Sequence, residues 1–305
     1  MEDSIVNIFI SGGLGYVGRH LSKALLQDGH KVTALGRRNN PANMIDHADF
    51  SYLAADTTKP GNWQSYIPTQ DVVINLTGKS IFTLWTKGVK KEIYDSRILT
   101  TQNIAEALKD AKKTVFFSTS AIGYYGDRGD NILTEQEPPG DSFLATVSRD
   151  WELEAMKVPN HVRVVMPRFG IVLSDDGGAM AKMLPAFRFF LGGRLGNGRQ
   201  WFPWIHMHDL IGAYRFAITD GTIIGPANWC APNPVPNEEL TRRLADKLHR
   251  PAMLPVPGIM VKTLLGEFGQ TLLCSQRAEP AVLQKAGYQF SYPNLDSALD
   301  EIVKK

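Results

Sequence analysis

The chain is poor in cysteine. Only Cys230 and Cys274 occur among 305 residues, far apart and outside any Cys-x-x-Cys or Cys/His spacing. Neither a disulfide framework nor a thiolate zinc site is expected, and a reducing cytoplasmic compartment is. Long apolar runs are also absent, because no stretch approaches the roughly 18 residues that a membrane-spanning helix requires. Excess charge of one sign is missing too: 33 Lys and Arg stand against 31 Asp and Glu, a net charge of +2. That balance supplies no whole-protein field for nucleic acid or an anionic membrane, and no basic cluster carries interleaved aromatics. The opening MEDSIVNIFI is acidic and lacks the basic start of a secretory leader, so it reads as the approach to a first strand. No internal repeat or low-complexity tract is visible.

What is present is an ordinary globular composition, 43% hydrophobic and 21% charged, on a chain long enough for a large core. Up to about residue 170, short apolar runs alternate with longer mixed segments. The runs are Val6–Ile10, Lys31–Leu35, Phe50–Leu53, Val72–Leu76, Thr114–Phe117 and Val162–Met166. They are continuous rather than alternating, as strands buried on both faces of a parallel sheet are. Val17, Leu21, Ala24 and Leu25 repeat at helical spacing, as do Ile104, Ala105 and Leu108. The pattern predicts an α/β fold, a doubly wound parallel sheet over residues 1–170. Beyond it Gly and Pro become frequent. Residues 171–305 are expected to form a smaller, loop-rich substrate domain, with the segment about 206–225 returning to the first.

The first apolar run ends in Ser11-Gly12-Gly13-Leu14-Gly15-Tyr16-Val17-Gly18 and opens the first helix. Glycine there permits a tight strand-to-helix turn and close backbone approach to a pyrophosphate, while the helix N-terminus supplies N–H groups and a positive dipole end. An NAD site usually places Asp or Glu about 20 residues on, for the ribose hydroxyls. Here no carboxylate occurs between Asp28 and Asp46, and Arg37 and Arg38 end the second run. An acid would repel a 2′-phosphate; these arginines would pair with it. NADP(H) is therefore the expected cofactor, with Arg19 a further candidate partner of the phosphate.

Several blocks are specific. GGxGxxG is joined by Asp56, by Asn75-Leu76-Thr77-Gly78 and by Ser118-Thr119-Ser120. Trp85-Thr86, Ser96-Arg97, Gly123-Tyr124-Tyr125-Gly126-Asp127, Lys182-Met183-Leu184-Pro185, Gly196-Asn197-Gly198-Arg199-Gln200 and Pro203-Trp204-Ile205-His206 extend the pattern almost end to end. Together they resemble the extended short-chain dehydrogenases/reductases, and within them the atypical YfcH-like branch labelled as nucleotide-sugar epimerases. The resemblance implies a Rossmann domain with a small C-terminal substrate domain, and NADP(H) held by residues 12–18 with Arg37, Arg38, Asp56, Leu76, Thr77, Gly78, Arg97 and Arg168. It also implies a small-molecule substrate of the nucleotide-sugar kind, and a homodimer is a plausible assembly.

Active short-chain dehydrogenases use a Tyr whose high pKa is brought down by a Lys one helical turn on. No Tyr-x-x-x-Lys exists in this chain; Phe143 or Leu144 stands where Tyr belongs, and Val147 or Ser148 where Lys belongs. Ser120 is the candidate for binding a substrate oxygen, and Tyr124 or Tyr125 for carrying the proton. Lys182, Arg199, Trp204 and His206 are candidates for the substrate. His206-Met207-His208-Asp209 has a metal-like spacing, but Asp at a helix start explains it and no metal is expected. Two functions stay open: an NADP(H)-dependent epimerase or oxidoreductase, and a non-catalytic NADP(H)-binding sensor or scaffold.

Overall fold

A computed structural model describes residues 5–252 and 255–304. Met1–Ser4, part of the segment read as leading into the first strand, lie outside the described residues. Seven strands form the main sheet: β1 (Asn7–Ser11), β2 (Lys31–Gly36), β3 (Phe50–Ala54), β4 (Val72–Asn75), β5 (Val115–Ser118), β6 (Arg163–Phe169) and β7 (Gly225–Trp229). All pair in parallel, in the order β7-β6-β5-β4-β1-β2-β3, and Ser120–Ala121 extends the edge of β5 onto Arg168 and Phe169 of β6. This is the doubly wound α/β sheet that the alternating runs predict.

The continuous apolar strands follow from burial on both faces. Ile8 and Ile10 of β1 face one core with Leu21 and Leu25 of α1 (Tyr16–Gln27), while Phe9 faces the other with Phe116 and Ile104. Helices α2 (Lys87–Ala107) and α3 (Phe143–Ala155) lie on that second face. Thr86 and Ser142 cap their N-termini by accepting hydrogen bonds from the N–H groups of Val89 and Ala145. Strand order reverses between β1 and β4, so a crevice opens at their carboxyl ends, where ligands of such sheets bind.

The later residues build a separate core. Leu184 of α4 (Met180–Arg188), Trp204, Leu240 and Leu244 of α6 (Asn237–Leu248) and Leu299 of α9 (Leu295–Val303) pack together. Helix α5 (Met207–Thr219) instead sends Leu210, Ala213 and Tyr214 into the core beside α1. β7 has no counterpart among the sequence runs. It reads Gly-Pro-Ala-Asn-Trp, and Pro226 is tolerated because this is an edge strand, where a missing N–H costs no ladder bond. Helix α7 (Gly258–Thr271) was likewise hidden by its glycines; it is broken at Gly266, whose φ is 59°. The remaining helix, α8 (Ala281–Lys285), packs near β7. Both cysteines are free, Cys230 buried and Cys274 half-buried. No described helix is long and apolar enough to cross a membrane.

Candidate dinucleotide site and the polar network beside it

The glycine loop has three built-in close approaches. Gly12 has φ +77° and donates its N–H to Leu35 O at 2.7 Å. A Cβ on Gly13 would lie 2.6 Å from Ala34 Cβ, and one on Gly18 would lie 2.2 Å from Gly12 O. Gly15 differs: it is exposed, and a Cβ there would meet only Gly12 O, at 3.1 Å. The loop is thus pressed onto the sheet at 12, 13 and 18 and open at 15. Gly15 is also the N-cap of α1, which has no side-chain cap and no acidic residue in its first turn. The helix start is left for an anion. Asn43 Nδ2 steadies the loop by donating to Leu14 O at 2.8 Å.

Around the crevice, Ser11 Oγ donates to Asn75 Oδ1 at 2.7 Å, and Thr77 Oγ1 lies 2.9 Å from Ser11 Oγ. Leu76 and Thr77 are half-buried and Gly78 is exposed. A Cβ on Gly78 would lie 3.0 Å from the Arg97 guanidinium, which donates to Lys79 O and Ile93 O. Burial holds Arg97 down at about 10, and among the described residues it has no carboxylate partner. Arg37 and Arg38 project from the end of β2, exposed and without an ion pair among the described residues. Asp56, at the end of β3, takes hydrogen bonds from Thr58 N–H and Thr58 Oγ1. Those bonds, with Lys59 and Arg37 nearby, hold its carboxyl below the usual range against a smaller effect of burial. Arg19 does not join this group, because Asp176 takes its guanidinium at 2.5 Å.

Ser120 sits in a buried network that the sequence did not disclose. Its Oγ donates to Glu152 Oε1 at 2.6 Å. Glu152, on α3, is clamped by Arg168 through Nε to Oε1 and Nη2 to Oε2, both 2.8 Å. Arg168 Nη1 reaches Tyr125 Oη at 2.8 Å, and Tyr125 donates to Asn228 Oδ1 at 2.7 Å. Burial pulls the Arg168 guanidinium down, but Glu152 outweighs it and keeps the group firmly charged. Burial pushes the Tyr125 phenol up, and Arg168 offsets only part of that. Tyr124 differs from its neighbour. It is half-buried, its ring lies 3.6 Å under the Arg168 guanidinium, and its hydroxyl has no partner among the described residues. Arg168, expected at the cofactor, is only 2% exposed and its guanidinium is already taken up by Glu152, Tyr125 and Glu135 O.

The other expected site residues are dispersed. Lys182 and Arg199 are exposed. Trp204 is 0% exposed inside the second core and donates to Asn233 O. His206 is equally enclosed; its Nδ1 accepts from His208 N–H as the cap of α5, so its Nε2 carries the proton toward Glu301, 3.1 Å away. Both polar groups are thus engaged within the fold, Trp204 Nε1 with Asn233 O and His206 Nε2 with Glu301. Asp209 is buried and accepts from the N–H groups of Ser291 and Tyr292. Among the described residues no group of three or more His, Cys, Asp and Glu side chains is arranged to hold a metal ion. Phe143 and Leu144, where an active dehydrogenase has Tyr, pack edge-on to Trp85 and beside Gly123.

Residues 8–228, most of the chain and nearly all of the main sheet, match the family model of the NAD dependent epimerase/dehydratase family. The chain belongs to that family. Residues 256–302 match a second model, described as a domain of unknown function, DUF1731. An epimerase family protein of Arabidopsis thaliana, the chloroplastic SDR39U1 homolog, is 37% identical, the match spanning 99% of this chain and 88% of that protein. The crystal structure of human epimerase family protein SDR39U1 with NADPH superposes with a TM-score of 0.87 at 31% identity, covering 98% of this chain and 99% of the human one. A UDP-glucuronic acid 4-epimerase from Bacillus cereus, solved with UDP-glucuronic acid and NAD, shares the fold (TM-score 0.79, 17% identity, 98% of each chain).

Proposed function

We propose that this family member binds NADP(H) and acts as an epimerase or oxidoreductase on a nucleotide-sugar or similar small polar molecule. The observation that carries the cofactor choice is the pair of exposed arginines at the end of β2, without an ion pair among the described residues, on a strand end whose own sequence has no carboxylate. The glycine cradle fits a dinucleotide: it is closed by backbone contacts on the protein side and open at Gly15. Residues 12–18 would hold the pyrophosphate, Arg37 and Arg38 the 2′-phosphate, and Asp56, Leu76, Thr77, Gly78 and Arg97 the remainder. The relative solved with NADPH supports the same choice. When bound, the cofactor supplies or accepts hydride at a substrate carbon.

The chain's own residues divide the remaining work. Tyr124 Oη is the proton carrier, because of the two tyrosines it is the one whose hydroxyl has no partner among the described residues. Tyr125 and Arg168 form the floor that fixes the Tyr124 ring. Ser120 gives its one proton to Glu152, which leaves only acceptor lone pairs for a substrate hydroxyl. Lys182 and Arg199 are the exposed cations available to a phosphorylated substrate. One observation favours the second reading, a nucleotide-loaded sensor without turnover: Ser120 is only 1% exposed. The test is a panel of nucleotide-sugars with NADP(H), read by absorbance for reduction and by NMR for epimers, on wild type, Tyr124→Phe and Tyr125→Phe. Loss of roughly 10²–10⁴-fold in Tyr124→Phe supports the proposal. Silence across the panel from a chain that still binds NADPH favours the sensor.

A further inference from the structure

Residues 174–178, between the short strand Ile171–Leu173 and α4, lie across the start of α1. The contacts form one connected set. Tyr16 Oη donates to Ser174 Oγ at 2.7 Å, and Ser174 Oγ donates to Asp176 Oδ1 at 2.8 Å. The Asp176 carboxylate takes Arg19 Nη2 at 2.5 Å and His20 Nε2 at 3.0 Å, both on the outer face of α1. Gly177 and Gly178 lie flat on the Tyr16 ring: a Cβ on Gly177 would come within 2.4 Å of it, and one on Gly178 within 2.7 Å. Gly178 also has φ +59°, a conformation that favours glycine. Burial and the Asp176 charge push the Tyr16 phenol up to about 12, against the hydrogen bond with Ser174.

Tyr16 is the first residue of α1, immediately after the open Gly15. Anything seated on that helix start lies beside a side chain that the 174–178 segment holds down. We propose that this segment is a strap over the dinucleotide loop, latched by Ser174 and Asp176, and that it governs release of the dinucleotide. The proposal rests on the cofactor reading above. It gives Arg19 a role other than binding the 2′-phosphate: Arg19 is the latch post, which leaves that phosphate to Arg37 and Arg38. It also accounts for glycine at 177, where φ is not positive and any side chain would collide with Tyr16.

The latch is only partly shielded, with Arg19 31% and Asp176 39% exposed, so it can open without unfolding the sheet. The experiment uses the full chain loaded with NADPH, chased with excess NADP+, with release followed by NADPH fluorescence in a stopped-flow instrument. Two independent variants loosen the strap: Ser174→Ala/Asp176→Ala removes the latch, and Gly177→Ala lifts the segment off Tyr16. Both are expected to release NADPH about tenfold faster, since the latch comprises a few part-exposed polar contacts, while association changes far less. Melting curves near wild type would show that the fold is kept. Unchanged release in both variants, with wild type binding normally, would overturn the strap. A wild-type chain that binds no NADPH would overturn the cofactor reading and the strap with it.

Discussion

Replacing Glu152 with Ala would strand a guanidinium inside the protein. Arg168 is 2% exposed and directs Nε and Nη2 at the two Glu152 oxygens, each at 2.8 Å. Without them its hydrogen bonds among the described residues are those to Tyr125 Oη and Glu135 O, beside the Tyr124 ring. Removing one partner of a buried pair costs about 3–5 kcal/mol, because the other charge stays desolvated and uncompensated. Arg168→Met should cost a similar amount, leaving the carboxylate with Ser120 alone. The double variant Glu152→Met/Arg168→Met removes both charges and both desolvation penalties. Its cost should fall to the Ser120 hydroxyl left unpaired, at roughly 1–3 kcal/mol, since Tyr125 still donates to Asn228 Oδ1. The double variant should therefore be more stable than either single one. Urea unfolding, followed in parallel by tryptophan fluorescence and circular dichroism to test for two-state behaviour, measures this. A double variant whose cost equals the sum of the singles would refute the assignment of a buried, mutually compensating pair.

Gly15 and Gly18 should respond in opposite ways. Gly18→Ala puts a methyl 2.2 Å from Gly12 O and should destabilise the fold by about 1–3 kcal/mol, whereas Gly15→Ala should fold nearly as wild type and lose NADPH affinity; melting and calorimetry on both check it. Burial, only partly offset by Glu301, depresses the His206 pKa below its ordinary 6.5, so the unfolded chain takes up this proton first. Its contribution to stability is complete above that pH and is lost as pH falls through the lower folded value. Urea midpoints between about pH 7 and about pH 5 should therefore fall less steeply in His206→Gln than in wild type; parallel slopes would count against a buried neutral imidazole.

The main sheet was legible because its strands are buried on both faces, which writes Val, Ile and Phe into continuous runs. The glycine loop was legible because a tight turn against Leu35, Ala34 and Leu76 leaves no room for side chains. β7 and α7 were not, since an edge strand can carry Pro226 and a helix broken at Gly266 has no clean period. The Glu152–Arg168 pair was less legible because its partners stand on a helix and a strand and meet only across the sheet face. A signal was present: Leu144, Ser148 and Glu152 share one helical stripe, and Arg168 interrupts an apolar strand. Of the strap only the Gly177-Gly178 pair was visible, and not its purpose, since residues 16–20 and 174–178 meet only in three dimensions.

The central claim is the choice of NADP(H) by Arg37 and Arg38, and titration calorimetry with NADPH and NADH on wild type and Arg37→Asp/Arg38→Asp tests it most directly. Charge-assisted hydrogen bonds to a 2′-phosphate contribute roughly 1.5–3 kcal/mol, so wild type should bind NADPH at least about tenfold more tightly than NADH. The double variant should lose that margin while keeping its NADH affinity. Equal affinity for both dinucleotides in wild type, unchanged in the variant, would contradict the account.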